Sequence, residues 1–275
     1  MLECVVNVSE GRDAGVLATL VRASGDDLLD IHVDPNHHRA VLTLVGETAP
    51  RRVAEAAVTG IDLRRHHGAH PRLGALDVVP FVALRGSAPA DAVAARDRFA
   101  TWLGDTLAVP AFTYGPERTL PEVRRQAFTT LAPDHGPATP HERAGACAVG
   151  ARLVLVAYNV WLEHPDLGRA RAVAAAVRGP GLRALGLEVG DRVQVSMNLI
   201  DPTAVGPAEA HDRVAAAVAV AGAELVGLVP AAVLHAVDPT RWAELDLAPD
   251  RTIEARLAVR ADALARARDA GGQPT

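Results

Sequence analysis

The sequence predicts an α+β protein of two ferredoxin-like α/β subdomains, each a mixed sheet covered by helices. Three observations carry this expectation. Residues 153–229 read as strand, helix, strand, strand, helix, strand, the split order of ferredoxin-like folds. The first half begins with the same first five elements and then adds more. The chain has 275 residues, 49% hydrophobic and 22% charged, which suits one large folded domain or two small ones. The predicted boundaries are a first subdomain over residues 1–152, a second over 153–265, and a flexible tail over 266–275.

The elements follow in order. Leu2–Val8 is a short apolar run, read as a strand and broken by Ser9-Glu10-Gly11. Leu17, Leu20 and Val21 have helical spacing, and Gly25 supplies a stop. Residues 28–33 and 40–45 read as strands around the turn residues Asp34-Pro35-Asn36. Thr48 is a candidate helix cap, Pro50 is tolerated in the first turn, and Val53, Ala57, Val58 and Ile61 share one face. Residues 76–84 read as a strand, 90–103 as a helix and 109–114 as a short strand. In the second half, residues 153–160 form a predicted strand, and Pro165 opens a helix that Gly179-Pro180-Gly181 ends. Leu182–Val189 and Arg192–Leu199 flank Gly190-Asp191, a hairpin signal. Residues 207–220 read as helical, and 225–229 as a strand ended by Pro230.

Composition narrows the function. The net charge is −5 with both signs interspersed, which argues against a basic nucleic-acid face or an anionic-membrane binder. An anionic substrate therefore needs a locally basic pocket. Aromatic residues are only 3% of the chain, so the core must rest mainly on Ala, Val and Leu. Cys4 and Cys147 alone make neither a disulfide framework nor a Cys-rich zinc site, and two reduced thiols in the cytoplasm are expected. The N-terminus lacks the basic start and apolar run of a signal peptide, and no uncharged apolar stretch reaches membrane-spanning length.

Polar residues concentrate in four places. The densest is residues 64–77, where His66, His67, His70, Arg64, Arg65 and Arg72 gather just before a strand, with Gly68 and Gly74 to shape the loop. Histidine is the side chain suited to moving protons near neutral pH, although a solvated polar loop reads the same way. A second group is His32, Asp34, His37, His38 and Arg39. Its spacing fits no standard zinc pattern, so a polar surface hairpin is expected in place of a metal site. A third is the loop Asp134-His135-Gly136-Pro137-Ala138-Thr139-Pro140-His141-Glu142-Arg143-Ala144-Gly145, read as the join between the subdomains. The fourth is a set of polar residues inside apolar strands: Asn7, Asn159, Gln194, Ser196 and Asn198. Buried amides must find partners, in a substrate or in neighbouring strands and loops. No Gly-rich nucleotide cradle, Walker-type loop or nucleophile elbow is present.

An ordered series of segments resembles the formiminotransferase family: ECVVNVSEGR at 3–12, DPNHHRAVLTLVG at 34–46, HHGAHPRLGALDVVPF at 66–81, GARLVLVAYNVWL at 150–162, QVSMNLID at 194–201 and ELVGLVP at 224–230. The resemblance implies two α/β subdomains and a homodimer, without the cyclodeaminase domain found fused in animal enzymes. It implies transfer of a formimidoyl group between N-formimidoylglutamate and tetrahydrofolate in histidine breakdown. The family's catalytic histidine falls on His70, and its folate-contacting loop on residues 136–145. Val5, His38 and Trp161 depart from the family's usual proline, asparagine and asparagine.

That chemistry needs no metal. An amine attacks an amidine-type carbon, a tetrahedral intermediate forms, and the other nitrogen leaves. One histidine, His70, serves as base and then acid. Asp77 is a candidate to orient a histidine. Arg39, Arg72 and Arg152 are candidates to pair with the carboxylates of glutamate and of the folate tail. Asn7 and Asn159 are further candidate substrate contacts. Two other classes compete: a folate-binding paralogue with another acceptor or little catalysis, separated by turnover, and a metal-dependent hydrolase, separated by stoichiometric zinc.

Overall fold

The computed structural model describes residues 1–68 and 71–271, which fall into two compact units, Met1–Leu153 and Val154–Thr275. The first unit contains β1 (Leu2–Val8), α1 (Ala14–Ser24), β2 (Leu28–Asp34), β3 (Arg39–Val45), α2 (Thr48–Gly60), β4 (Leu76–Ala83), α3 (Pro89–Leu107), β5 (Ala111–Tyr114), α4 (Leu120–Gln126) and β6 (Cys147–Arg152). Its sheet runs β2-β3-β1-β4-β6-β5. The first four strands pair antiparallel in the ferredoxin-like order. β6 and β5 then extend the sheet in parallel beyond β4.

Alternation along β1 explains the layering. Cys4, Val6 and Val8 are fully buried beside Leu42 and Leu44 of β3 and Phe81 of β4. α1, α2 and α3 cover this face with Leu20, Val53, Ala57, Phe99 and Leu103. α4 covers part of the other face, where Val123 packs with Val78, Phe112, Tyr114, Ala146 and Ala148. α1 begins where the Asp13 carboxylate accepts from the Gly15 and Val16 amides, and ends at Gly25. α2 starts one residue earlier than expected: Glu47 takes the N-cap position and Thr48 is the first helical residue. α4 has no counterpart in the sequence prediction. Pro121 lies in its first turn, and the Glu122 carboxylate accepts from the Thr119 amide at 2.7 Å.

The second unit contains β7 (Val156–Leu162), α5 (Leu167–Val177), β8 (Leu182–Val189), β9 (Arg192–Leu199), α6 (Pro207–Ala215), β10 (Val220–Val226), α7 (Ala231–His235) and α8 (Ile253–Gly271). Its sheet, β10-β7-β9-β8, is antiparallel throughout, where a mixed sheet was expected. The reason is topological. β7 and β8 run the same way but leave a gap, and β9 returns through that gap. Val156, Tyr158, Val160, Val195 and Met197 face α5 and α6, which supply Ala170, Val173, Ala210 and Val214. Gln194, Ser196 and Asn198 alternate onto the opposite face. α8 includes residues 266–271, which the sequence reading gives to a tail. No helix among the described residues is long and apolar enough to cross a membrane.

Candidate functional site

The segment before β4 is built from its surroundings inward. His70 and Ala69 lie outside the described residues, so the site is defined by what holds the loop on either side. On the near side, the His66 amide donates to Leu63 O at 3.1 Å. Its Nε2 lies 2.9 Å from the His38 carbonyl oxygen. A carbonyl only accepts, so that nitrogen carries the proton and Nδ1 is left as an acceptor. Nδ1 is buried without a partner. The His66 and His38 rings stack with centroids 4.2 Å apart. A Cβ on Gly68 would lie 2.4 Å from His37 O and 2.8 Å from His66 Cε1, so only glycine permits this approach.

On the far side, Arg72 turns back onto its own loop, donating to His66 O at 2.8 Å and Gly68 O at 3.3 Å. The Leu73 amide donates to Asp77 Oδ1 at 2.7 Å. Asp77 is fully buried near the start of β4. Two guanidiniums meet its other oxygen: Arg39 Nη1 at 2.6 Å and Arg124 Nη2 at 2.7 Å. Burial alone would push the Asp77 carboxyl up, but the two arginines and the Leu73 amide outweigh it and hold the pKa at about 2. Arg39 also donates to Asn7 Oδ1 at 2.9 Å, and Arg124 to Pro71 O at 3.1 Å. Asp77 is thus a hub for Arg39, Arg124 and the loop backbone. The expectation that it orients a histidine has no described bond to support it.

A second cluster lies beside His38. The buried Glu10 carboxylate accepts from three successive amides, Gly11, Arg12 and Asp13, at 2.7–2.9 Å. The Gly11 amide also reaches His38 Nδ1 at 3.1 Å, so the proton of a neutral His38 ring belongs on Nε2. Burial lowers the pKa of His38, partly opposed by Glu10 at 3.3 Å, and burial likewise lowers that of His66. His38 has φ 51°, the left-handed region that a β-carbon disfavours. A cleft of about 440 Å³ opens here, lined by Ser9, Glu10, Asp13, His38, Asp62, Arg65, His66 and Arg143, among others.

The loop 136–145 is not a join between the units. It runs between α4 and β6 inside the first, because the apolar run after it supplies a central strand of that sheet. Gly136, Pro137, Ala138, Thr139 and Pro140 are exposed. The remainder is tied to the His70 segment. His141 and Gly145 exchange backbone bonds at 2.8 Å, Ala75 N donates to Ala144 O, and Ala146 N donates to Leu73 O. Gly145 has φ 66°, and a Cβ there would lie 2.4 Å from Leu73 O. His141 Nδ1 accepts from the Arg143 and Ala144 amides. Arg152, at the end of β6, donates to Leu153 O at 3.0 Å.

In the second unit, Asn159 donates to Glu224 Oε2 at 3.0 Å. Both amide atoms of the fully buried Gln194 lack partners. No group of three His, Cys, Asp or Glu side chains placed to hold a metal occurs among the described residues. In the His-rich hairpin, His37 pairs with Asp34, whose carboxyl is held at about 2 because His37 outweighs the effect of burial.

The structure therefore brings Asn7, Arg39, Arg72 and residues 141–145 around the segment that carries His70. Sequence reasoning missed Glu10 and Arg124. Glu10 reads as part of a strand break, although Glu-Gly-Arg-Asp after a strand is where consecutive amides can cradle an acceptor. Arg124 had no place because α4 was not foreseen.

Two ferredoxin-like units, the first extended by two strands, define an α+β protein with a hydrogen-bonded, histidine-rich loop leading into a central strand. Comparison with known proteins places it more closely. The family described as formiminotransferase domain, N-terminal subdomain, matches residues 1–152. Glutamate formimidoyltransferase of Streptococcus pyogenes serotype M1 is 34% identical over 270 residues, covering 85% of this chain and 90% of that protein. Glutamate formimidoyltransferase of Thermoplasma acidophilum is 31% identical, covering 84% and 88%. Formimidoyltransferase-cyclodeaminase of Sus scrofa is 33% identical over 84% of this chain and 50% of its own length. The chain belongs to the formiminotransferase family.

Proposed function

We propose that this chain is a glutamate formimidoyltransferase, moving a formimidoyl group between N-formimidoyl-L-glutamate and tetrahydrofolate in histidine degradation. The observation that carries the reading is similarity along most of both chains, 85% of this chain and 90% of the glutamate formimidoyltransferase of Streptococcus pyogenes. Folate is then a co-substrate. The protein acts as a cytoplasmic homodimer, and folate contacts come from residues 136–145.

In this mechanism His70 takes a proton from the attacking amine and returns one to the departing nitrogen. Its loop is held on both sides, by His66 and Gly68 before it and by Arg72 and Leu73 after it. Such fixation supports a group that must stay aligned through two proton transfers, since positioning carries a large share of the barrier reduction. Arg39, Arg72 and Arg152 remain the proposed partners for substrate carboxylates, with Asn7 and Asn159 as further contacts. Arg39 and Arg72 would contribute from guanidiniums already fixed by Asp77 and by the loop carbonyls.

The test is a spectroscopic assay of the purified chain with tetrahydrofolate and N-formimidoylglutamate, run beside formylglutamate and formimidoylglycine. Turnover with the first pair well above the others supports the reading. Turnover with another donor alone, or none with any, refutes it.

A further inference from the structure

We infer that Arg124 is a positioning residue for the reaction, bracing the far side of the His70 loop through Asp77 and Pro71. The inference rests on the transferase reading above for its catalytic meaning, but its physical basis is independent of it.

α4 lies outside the ferredoxin-like repeat and lends one long side chain to that loop. Its hydrophobic contribution is Val123, packed under the sheet with Val78 and Phe112. The next residue, Arg124, spans two targets with one guanidinium. Nη2 donates to Asp77 Oδ2 at 2.7 Å, and Nη1 donates to Pro71 O at 3.1 Å. Pro71 is adjacent to the residue proposed as acid–base catalyst, and with no N–H of its own it offers the backbone only a carbonyl to hold. Its carbonyl is therefore a natural handle. The Asp77 Oδ1 atom meanwhile holds the Leu73 amide at 2.7 Å.

The arrangement is a closed circuit: Arg124 to Pro71 O, along the chain to Leu73 N, then to Asp77 and back to Arg124. Arg39 approaches the same carboxylate from β3 and ends on Asn7 of β1, so the circuit is anchored to three strands. Arg39 keeps Asp77 ionised if Arg124 is removed. Loss of Arg124 therefore removes one restraint on Pro71 without leaving a buried anion unpaired, so its effect falls on loop position more than on folding. A planar fork with two separate nitrogens suits this double contact, and the single nitrogen of an ammonium spans it less well.

The experiment compares the wild-type chain with Arg124→Ala and Arg124→Lys in two measurements. The first is amide hydrogen exchange across residues 72–77 of the unliganded protein. The second is steady-state transfer, read as kcat and as KM for each substrate. The expected result for Arg124→Ala is Leu73 exchange faster by ~10-fold or more, and kcat lower by ~10–100-fold with both KM values changed little, since small misplacement near a reacting centre has effects of this size. Arg124→Lys should recover part of both losses. If Arg124→Ala does not fold, Arg124→Lys carries the comparison against wild type. Unchanged exchange at Leu73, or normal kcat with only a lowered melting temperature, overturns the inference. A raised KM at normal kcat also overturns it, by making Arg124 a substrate contact. If the wild type shows no formimidoyl transfer but exchange still responds, the brace stands and the transferase reading fails.

Discussion

Arg124 on α4 and Asp77 on β4 meet at 2.7 Å, 47 residues apart in the chain, on a carboxylate oxygen that Arg39 also reaches at 2.6 Å. A buried carboxylate held by two guanidiniums is costly to disturb, because removing its charge leaves two partly buried cations facing each other.

Asp77→Asn should therefore lower stability by about 3–5 kcal/mol at neutral pH, the usual cost of breaking a buried pair. The pH dependence follows from the depressed pKa, about 2 in the folded protein against roughly 3.9 unfolded. The unfolded chain binds the proton first, so the stabilisation is complete above the unfolded pKa and is lost as pH falls from about 4 toward about 2. Urea unfolding at neutral pH and near pH 3 checks both. The wild type should lose stability between the two conditions, and the variant should lose less, since it lacks the Asp77 share.

The stacked pair His38 and His66 gives a second pH signature. Burial lowers both pKa values, so below about pH 6.5 the unfolded state takes protons that the folded state resists, and stability falls with pH. Glu10, Arg12 and Arg72 face these rings and set the balance, with Glu10 opposing the effect. His38→Asn should weaken the dependence, since it removes one of the two groups. It should also fold normally, because Asn accepts the left-handed backbone at φ 51°. Melting curves between about pH 7 and pH 5.5 read this out, with the wild type more sensitive than the variant.

Gly68→Ala should displace the His70 loop. The added carbon would lie 2.4 Å from His37 O, a backbone atom that cannot swing aside. The expected outcome is a kcat loss of about 10-fold or more with a smaller change in melting temperature, measured on the same preparation.

Much of this was legible in the chain. The apolar run Leu2–Val8 and the Gly190-Asp191 hairpin mark strands in both ferredoxin-like halves. Of the two-strand extension, β5 is legible as the short strand 109–114 and β6 is not. Cys147–Arg152 runs into Leu153-Val154-Leu155, an apolar link without turn residues, so the strand read from sequence begins at Leu153 and β6 has no place. Without β6, the 136–145 loop looks like a join. α8 escaped notice because its apolar and charged residues form no stripe. β10 was placed late because Ala- and Val-rich residues 216–221 suit helix and strand alike.

The site was legible as a histidine-rich loop but not as a network. Asp77 stands in sequence beside Arg72 and His70, yet its described partners are Leu73, Arg39 and Arg124. Arg39 comes from the far side of β1, and Arg124 from a helix too short to announce itself. Arg72, nearest to His70 in sequence, spends its donors on the loop carbonyls of His66 and Gly68.

The central claim is that His70 carries the proton transfers of formimidoyl exchange. Its most direct test is the turnover of His70→Ala with tetrahydrofolate and N-formimidoylglutamate, at saturating concentrations of both. The account predicts a loss of roughly 10²–10⁴-fold in kcat, the usual worth of a general acid–base group, with folate binding and melting temperature close to wild type. Near-normal turnover of His70→Ala with these two substrates would contradict it.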